Sequence, residues 1–229
     1  MDEDDVAIKP ETLTMDEAAS IPLVGLAAWQ VLIERAKLKK GQKVLIHAGS
    51  GGFGTFAIQL AKHVGATVAT TTSTANVDLV KSLGADIVID YKKEKFEDIL
   101  HDYDVVLNSL GTDILEKSLK VLKPGGKLIS ISGPPDAAFA QESGLNWFLK
   151  QVMRLLSFGI RKKAKQRDVN YSFVFMRANG EQLSKITALI ESGIIRAVVD
   201  RVFLFASANE ALAYVETGRA KGKVVVKVR

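Results

Sequence analysis

A glycine-rich segment between an apolar run and a helical pattern carries the clearest chemical signal in the sequence. The run KVLIHA at 43–48 leads directly into Gly49, Gly51 and Gly54, which form a G-x-G-x-x-G pattern. Such glycines permit a tight turn, let the backbone approach a pyrophosphate, and allow a strand and a helix to pack closely. The following helix start offers free amides and a favourable dipole to an anion. The segment therefore predicts a dinucleotide site with amides from Gly51, Gly52 and Phe53, and a glycine-rich turn without a ligand is the alternative.

The end of the next apolar run, ATVATTT at 66–72, indicates which dinucleotide would bind. An NAD site usually has a carboxylate there to accept a hydrogen bond from the ribose 2′-hydroxyl, whereas this chain continues with Ser73 and Thr74. Hydroxyls such as those of Thr72 and Ser73 can donate to a 2′-phosphate, and Asn76 adds an uncharged amide. We therefore predict NADPH rather than NADH. An N-cap of the next helix is an alternative role for Ser73.

Other residues with chemical potential do not form a recognisable catalytic set. Tyr91 and Lys95 spell Y-x-x-x-K, a pairing used for proton transfer in short-chain dehydrogenases, but they follow the third apolar run, where a solvated turn is expected. The histidines, His47, His63 and His101, lack the spacing of metal ligands. Neither a Ser/His/Asp set nor a poised carboxylate pair occurs. We therefore assign no catalytic residue and no metal ligand.

The elements that would position this site alternate regularly between short β-branched runs and helical patterns from Lys43 onward. The apolar runs are continuous rather than alternating, as expected for strands covered by helices on both faces. Gly65, Gly84 and the cluster at 124–126 follow periodic apolar stretches, where helices end and turns return the chain to a sheet. This organisation predicts an α/β fold with a doubly wound parallel sheet of six strands, the Rossmann type.

Composition restricts the class of protein further. The chain has 229 residues, 47% hydrophobic and 25% charged, and no cysteine, which excludes disulfide scaffolds and thiolate metal sites. Its acidic start has no signal-peptide pattern and no segment is apolar enough to span a membrane, so we predict a cytoplasmic protein. Five of the positive charges, which alone account for the net charge of +5, lie in RKKAKQR at 161–167. This local excess argues against nucleic-acid binding.

Three parts lie outside the predicted sheet: an N-terminal stub with a short strand VAIKP, a basic segment from about Gly133 to Asn170, and a tail after about Ile195. Apolar residues recur at helical spacing between Gln141 and Ser157, which predicts an amphipathic helix whose polar side continues into RKKAKQR. We expect a solvated helix face with an exit loop, and a patch for an anionic partner or membrane surface is the alternative.

Several motifs taken together resemble one known family. The glycine segment, VIDY at 88–91, LKPGGKLISISG at 122–133 and AKGKVVVKV at 220–228 are similar to the zinc-free quinone oxidoreductases of the medium-chain dehydrogenase/reductase superfamily. AASIPLVGLAAWQVL at 18–32 resembles the helix that enters the cofactor domain, and SFVFMRANGEQL at 172–183 resembles the sixth strand and its following helix. The resemblance covers nearly the whole chain and is loose only from Pro134 to Asn170.

The resemblance also implies site residues. Ala48, Gly51 and Gly54 match the family's A-x-x-G-x-x-G loop, and Ser73 and Tyr91 match positions near the 2′-phosphate. Further positions implied along the cofactor are Asn108, Ser109, Leu110, Ser132, Gly133, Phe173, Phe175, Lys221, Gly222 and Lys223. In two places the chain departs from the pattern: Ala27 replaces a frequent threonine near the nicotinamide, and Asn76-Val77 replaces a lysine, which weakens phosphate recognition.

The family implies an activity and a domain plan. Its members transfer hydride from NADPH to a quinone or an α,β-unsaturated carbonyl without a metal, and pair their sixth strands in a homodimer. They begin with a GroES-like barrel, of which only a remnant is expected here. We predict a barrel remnant at 1–20, a Rossmann domain at 21–194 and a C-terminal part of the catalytic domain at 195–229. The small-molecule substrate would be a quinone or enone, with no nucleic-acid or membrane partner; a noncatalytic NADPH-binding module or split subunit is the alternative.

Overall fold

The computed structural model describes residues 2–228, in which strands and helices alternate through most of the chain. The strands are β1 (Lys43–Ile46), β2 (Thr67–Thr72), β3 (Ile87–Asp90), β4 (Tyr103–Asn108), β5 (Leu122–Ser130), β6 (Asn170–Phe173), β7 (Val199–Leu204) and β8 (Lys223–Lys227). The helices are α1 (Met15–Ala19), α2 (Pro22–Trp29), α3 (Gly52–Val64), α4 (Val77–Ser82), α5 (Phe96–Ile99), α6 (Thr112–Ser118), α7 (Ala137–Glu142), α8 (Trp147–Leu156), α9 (Phe158–Gln166), α10 (Gly180–Glu191) and α11 (Ala208–Glu216). A π-helical segment, Gln30–Arg35, continues α2.

The first six strands form one parallel sheet in the order β3-β2-β1-β4-β5-β6. This order confirms the predicted doubly wound α/β fold of the Rossmann type. The chain direction across the sheet reverses between β1 and β4, and ligands of such sheets bind outside the carboxyl ends of the strands at this reversal. The glycine-rich segment follows β1 directly, so the topology brings it to that position.

Two hydrophobic cores cover the two faces of the sheet, because successive side chains of a strand point to opposite faces. Along β1, Val44 and Ile46 join the core formed with α2, α3 and α10, whereas Leu45 joins the core formed with α6 and α9. All three of these side chains are fully buried. The continuous apolar pattern of the strands is thereby explained.

The N-terminal stub differs from the prediction, since residues 6–10, VAIKP, form no strand. The backbone instead lies against α10, where the Val6 carbonyl is so close to Gly180 that a β-carbon there would collide with it. The Thr187 hydroxyl donates to the Ile8 carbonyl at 3.4 Å. A strand needs a partner for its backbone groups, and among residues 2–228 no strand lies beside this segment.

The segment from Gly133 to Asn170 also differs from the prediction. The expected single helix over 141–157 is interrupted at Gly144, whose φ of +65° lies in the left-handed region. RKKAKQR is not an exit loop but belongs mainly to α9, and Ile160 and Ala164 of this helix are buried in the second core. Their spacing of four residues places both on one side of the helix, which the surrounding basic residues concealed in the sequence.

The predicted sixth strand is displaced by about two residues, a common size of boundary error. It covers Asn170–Phe173, so Phe175 lies beyond its end, and the side chain of Phe175 is exposed. Strand β6 occupies the edge of the sheet, as the sequence predicted.

The C-terminal segment forms a separate two-stranded parallel sheet, β7-β8, against which α11 packs. Helix α1 contacts both of these strands, and Lys227 forms an ion pair with Asp16 at 3.3 Å. Helix α1, near the start of the chain, therefore lies against the C-terminal sheet. The division into domains at residues 20 and 194 stays a prediction.

No helix within residues 2–228 has the length and apolar character needed to cross a membrane.

Candidate functional site

The glycine turn joins β1 to α3 with almost no space between backbone segments. A β-carbon on Gly54 would lie 2.6 Å from the Gly49 Cα and against the Ala48 carbonyl oxygen. A β-carbon on Gly49 would collide with the Thr70 hydroxyl and lie 3.0 Å from Ile58. Gly51 differs, because its β-carbon would meet only the Ala48 carbonyl oxygen, at 3.3 Å. Gly49 and Gly54 are therefore required by packing within the chain, whereas Gly51 has room for a β-carbon.

The free amides at the start of α3 differ by one residue from those predicted. The Gly51 N–H already donates to the Ala48 carbonyl at 3.0 Å, so it is not available to a ligand. The N–H groups of Gly52, Phe53 and Gly54 occupy the first three positions of the helix, where no carbonyl one turn earlier can accept from them. Within residues 2–228 these three groups have no hydrogen-bond acceptor. Free N–H groups at the start of a helix are groups that can bind an anion, and this helix is 13 residues long.

Beside this turn lies a pocket of small polar side chains, formed by Ser50, Thr72, Ser73 and Asn76. The Thr72 hydroxyl donates to Ser50 Oγ at 3.0 Å, and Asn76 Nδ2 donates to Ser50 Oγ at 3.1 Å and to Ser73 Oγ at 3.2 Å. Asn76 Oδ1 is buried without a hydrogen-bond partner in the described chain. The Ser73 side chain makes no N-capping hydrogen bond to the helical turn that follows. Its hydroxyl therefore remains within the pocket.

Ser50 also belongs to this pocket, although its place in the sequence did not predict it. It occupies a variable position of the glycine motif, and only the folded chain brings it to the end of β2. A small polar residue between two motif glycines is a weak signal that could have indicated it.

A carboxylate also lies closer to this pocket than the sequence suggested. Asp90 ends β3 and pairs in register with Thr72, and its Oδ2 accepts a hydrogen bond from the Thr74 hydroxyl at 2.5 Å. This hydrogen bond, together with the Lys92 N–H and the charge of Lys93, lowers the pKa of Asp90. The carboxylate is therefore ionised, but its partners compensate its charge. The end of β2 itself carries no carboxylate, but Asp90 of the neighbouring strand lies beside it.

The C-terminal tail closes over the glycine turn. The Gly222 N–H donates to the Ser50 carbonyl at 2.8 Å, and Gly222 and Gly51 form an isolated parallel β-bridge. Lys223 lies so close that a β-carbon on Gly52 would be 2.6 Å from its Cδ. Of the predicted tail residues, Gly222 and Lys223 therefore contact the turn, while the Lys221 side chain is exposed.

The ends of β4 and β5 form a second hydrogen-bonded cluster next to the turn. Asn108 Nδ2 donates to the Leu110 carbonyl at 2.9 Å, and the Ser132 hydroxyl donates to the same carbonyl at 2.7 Å. Ser130 Oγ accepts from the Gly133 N–H at 2.7 Å. The Ser109 hydroxyl reaches the His47 carbonyl at 3.4 Å, which connects this cluster to the end of β1. The structure thus brings together all five residues predicted for these two strand ends.

The remaining predicted residues lie at the periphery. The Tyr91 N–H donates to the Thr72 carbonyl at 3.1 Å, but its ring is exposed. Phe173 and Phe175 are both near the ring of Phe139 in α7, at centroid distances of 5.1 and 6.3 Å. They lie at the β6 edge of the sheet, with β4 and β5 between them and the glycine turn.

His47 is buried directly after β1 and has a structural role. Its ring nitrogens lie 3.1 Å from the Thr71 hydroxyl and 2.9 Å from the Ser118 hydroxyl, and Phe96 contacts the ring edge-on. Burial disfavours the charged imidazolium and lowers the pKa of His47 to about 3. The ring is therefore neutral at physiological pH and links strand β1 to helix α6.

Comparison with known families accounts for this arrangement. Residues 83–226, well over half of the chain, match the family model described as "Zinc-binding dehydrogenase". The chain belongs to this family of zinc-binding dehydrogenases. Despite the family's description, the chain contains no cysteine, and residues 2–228 hold no group of three or more His, Asp or Glu side chains placed to bind an ion. The residues present do not fit a zinc ion.

Relatives of this chain confirm the resemblance to the quinone oxidoreductases. The chain is 39% identical to a 2-methylene-furan-3-one reductase from Solanum lycopersicum, over 96% of this chain and 49% of the relative. It is 37% identical to a chloroplastic NADPH-dependent alkenal/one oxidoreductase from Arabidopsis thaliana, again over 96% and 49%. The quinone oxidoreductase from Coxiella burnetii superposes with a TM-score of 0.81 and 34% identity, over 96% of this chain and 63% of that chain. The chain thus spans about half the length of the two reductases.

Proposed function

We propose that this chain binds NADPH at the glycine turn and serves the transfer of hydride to a quinone or an α,β-unsaturated carbonyl. The observation that carries the proposal is the combination of three unpartnered amides, from Gly52, Phe53 and Gly54, with the polar pocket at the end of β2. Relatives named as an NADPH-dependent alkenal/one oxidoreductase and a quinone oxidoreductase support the same conclusion.

The residues of the site fit a dinucleotide with a 2′-phosphate. The amides that begin α3 would bind the pyrophosphate, because they combine free N–H groups with the positive end of the helix dipole. Ser73 and Asn76 would donate hydrogen bonds to the 2′-phosphate. For this, the Asn76 amide would only have to rotate, so that its Nδ2 leaves the Ser50 and Ser73 hydroxyls and donates to the phosphate. The Lys223 ammonium adds positive charge beside the turn. The clusters at the ends of β4 and β5 would border the nicotinamide half.

The contribution of the chain to the chemistry is binding and orientation. When bound, NADPH supplies the hydride, and an electron-poor carbon or quinone oxygen accepts it. Among residues 2–228 the site has no metal-ligand cluster, and its one histidine, His47, is buried and neutral. The side chains around the site would therefore bind and orient the cofactor through hydrogen bonds, and water would supply the proton that completes the reduction.

A second function belongs to a different class. A noncatalytic NADPH-binding module, or one subunit of a split enzyme, would use the same cofactor site without turnover. We also propose a division into three parts: a barrel remnant at 1–20, a Rossmann domain at 21–194 and a catalytic part at 195–229. The contacts of α1 with β7 and β8 support the grouping of the first and last parts.

A paired fluorescence titration of the purified chain with NADPH and NADH, followed by an NADPH oxidation assay with a simple quinone and a simple enone, tests both functions. Tight NADPH binding with turnover supports the reductase. Binding without turnover supports the module, and the absence of binding contradicts the cofactor site itself.

The pocket beside β2 makes a specific prediction about cofactor preference. Ser73→Asp places a carboxylate against the 2′-phosphate, so we expect NADPH affinity to fall about 10-fold or more and NADH affinity to change little. Asn76→Lys adds a cation and should increase NADPH affinity. The matched control is Ser82→Asp, an exposed serine at the end of α4. Equal losses for NADPH and NADH in Ser73→Asp would contradict the proposed position of the 2′-phosphate.

The edge strand β6 supports the prediction of a homodimer through this strand. An unpaired edge presents free backbone groups to a second copy, and the exposed Phe175 lies directly beyond its end. We expect a dimer mass by light scattering at micromolar concentration, and a monomer mass would contradict it.

The cytoplasmic location stays a prediction, since the names of two relatives place them in the chloroplast and the mitochondrion.

A further inference from the structure

Helix α8 presents its apolar side to solvent, opposite to what a surface helix of a globular protein normally does. Trp147 and Leu155 are 73% and 76% exposed, and no residue of the helix is buried. The exposed apolar residues of α8 and of the start of α9 are Trp147, Phe148, Leu149, Val152, Leu155, Leu156 and Phe158. We call this set the α8 apolar surface.

The polar side of α8 lies partly toward the protein instead. Lys150 and Gln151 are only half-exposed, and the Lys150 ammonium donates to Gln141 Oε1 of α7 at 2.8 Å. Asn146 caps the helix by accepting from the Leu149 N–H at 3.0 Å. The helix is therefore held in a defined orientation with its apolar residues outward. An exposed cluster of this kind marks a surface for a partner or a membrane.

The electrostatic character of the same region restricts its partner. From Ser143 to Arg167 the sequence contains seven lysines and arginines and neither aspartate nor glutamate. Among residues 2–228, Lys163 pairs with Glu116, whereas Arg154, Arg161 and Lys162 have no salt bridge. A second copy placed against this region would bring the same positive charges together. The surface therefore requires an occupant that is both apolar and negatively charged.

We propose that the α8 apolar surface, with the basic residues of α8 and α9, binds peripherally to an anionic phospholipid bilayer. An amphipathic helix lies in the plane of the bilayer interface when Trp, Phe and Leu face the acyl chains and Lys or Arg face the headgroups. Helices α8 and α9 contain both the apolar residues and the basic residues that this arrangement needs. Each cation near the surface adds attraction to anionic lipid. This inference concerns the location of the chain and does not depend on the proposed reductase activity.

Vesicle co-sedimentation of the full chain tests the proposal. We expect binding to phosphatidylcholine vesicles that contain about 30% phosphatidylserine, and weak binding to phosphatidylcholine alone or in about 0.5 M salt. The chain has two tryptophans, and Trp147 is the exposed one, so its emission should shift to shorter wavelength on addition of anionic vesicles. The shift should disappear in Trp147→Ser.

Matched variants distinguish vesicle binding through the α8 apolar surface from nonspecific hydrophobic adsorption. Leu155→Ser with Leu156→Ser should weaken vesicle binding about 10-fold or more, because it removes two side chains that would enter the acyl region. Leu212→Ser, at a leucine of α11 that is 64% exposed, should bind as the original chain does. Arg161→Gln with Lys162→Gln should weaken binding, and Lys39→Gln with Lys40→Gln should not.

Three outcomes would overturn the proposal. The first is no binding to anionic vesicles, and the second is equal binding to neutral and anionic vesicles. The third is an original chain that forms a dimer and does not bind vesicles, together with a monomeric Leu155→Ser, Leu156→Ser variant. The α8 apolar surface would then join two copies of the chain.

Discussion

Replacing Gly54 with alanine is expected to destabilise the fold by about 3 kcal/mol or more, since the new methyl group cannot be accommodated without moving backbone. Its β-carbon would lie 2.6 Å from the Gly49 Cα and 2.9 Å from the Gly49 carbonyl carbon, and against the Ala48 carbonyl oxygen. None of these atoms is the flexible end of a side chain. Helix α3 would have to move away from β1, which separates the free amides from the polar pocket at the end of β2.

Gly51→Ala is the matched control for this prediction. Its β-carbon would meet only the Ala48 carbonyl oxygen, at 3.3 Å, and the backbone of Gly51 has ordinary extended angles, φ −80° and ψ 170°. The loss of stability should stay within about 1 kcal/mol, the cost of alanine in place of glycine at an N-cap. Urea unfolding of both variants measures the difference. Equal losses of stability in the two variants would mean that the helix and strand are not held as closely as the structure shows.

The free energy of unfolding is expected to fall by about 2 kcal/mol between about pH 7.5 and pH 5 because of His47 alone. Its pKa is lowered to about 3 in the folded chain by burial, whereas the unfolded chain binds the proton near pH 6.5. Between these two values the unfolded state therefore binds more protons than the folded state. The contribution is complete above about pH 6.5 and is lost progressively as the pH falls toward 3.

Urea unfolding at about pH 7.5 and pH 5 measures this effect, with His47→Gln as the variant that cannot titrate. The variant should be less stable at the higher pH, since it disturbs the contacts with Thr71 and Ser118. It should, however, lose less stability than the original chain on acidification. His101→Gln, at an exposed position, should keep the original dependence. The same loss in the original chain and in His47→Gln would refute the assignment to His47.

The sheet and the glycine turn were predictable because their signals are local. Continuous apolar runs at Val44, Val68 and Val105 require cover on both faces, and only parallel strands between helices provide it. The glycines follow a strand and precede a helix within a few residues, so spacing alone defines the turn. The resemblance to the quinone oxidoreductases added Asn108 and Gly133 to the predicted site, and the structure places both in one cluster.

The features that were missed depend on contacts between distant segments. Asp90 reaches Thr74 through the register between β2 and β3, and Ser50 reaches Asn76 through the turn, so neither contact follows from spacing along the chain. The alternation in VAIKP favours a strand, but a strand forms only beside another strand, and α10 lies there instead. The amphipathic pattern of α8 was visible, yet a pattern does not state which side is buried.

The bridge between Gly51 and Gly222 has a consequence for the order of folding during synthesis. All six strands of the large sheet are translated before β8, so a nascent chain can complete that sheet while the glycine turn still lacks the segment that covers it. Long-range contacts of this kind form late, since the loop between them must close first. On the ribosome, the glycine turn would therefore stay uncovered until β8 has been synthesised, after the sheet that supports it has formed.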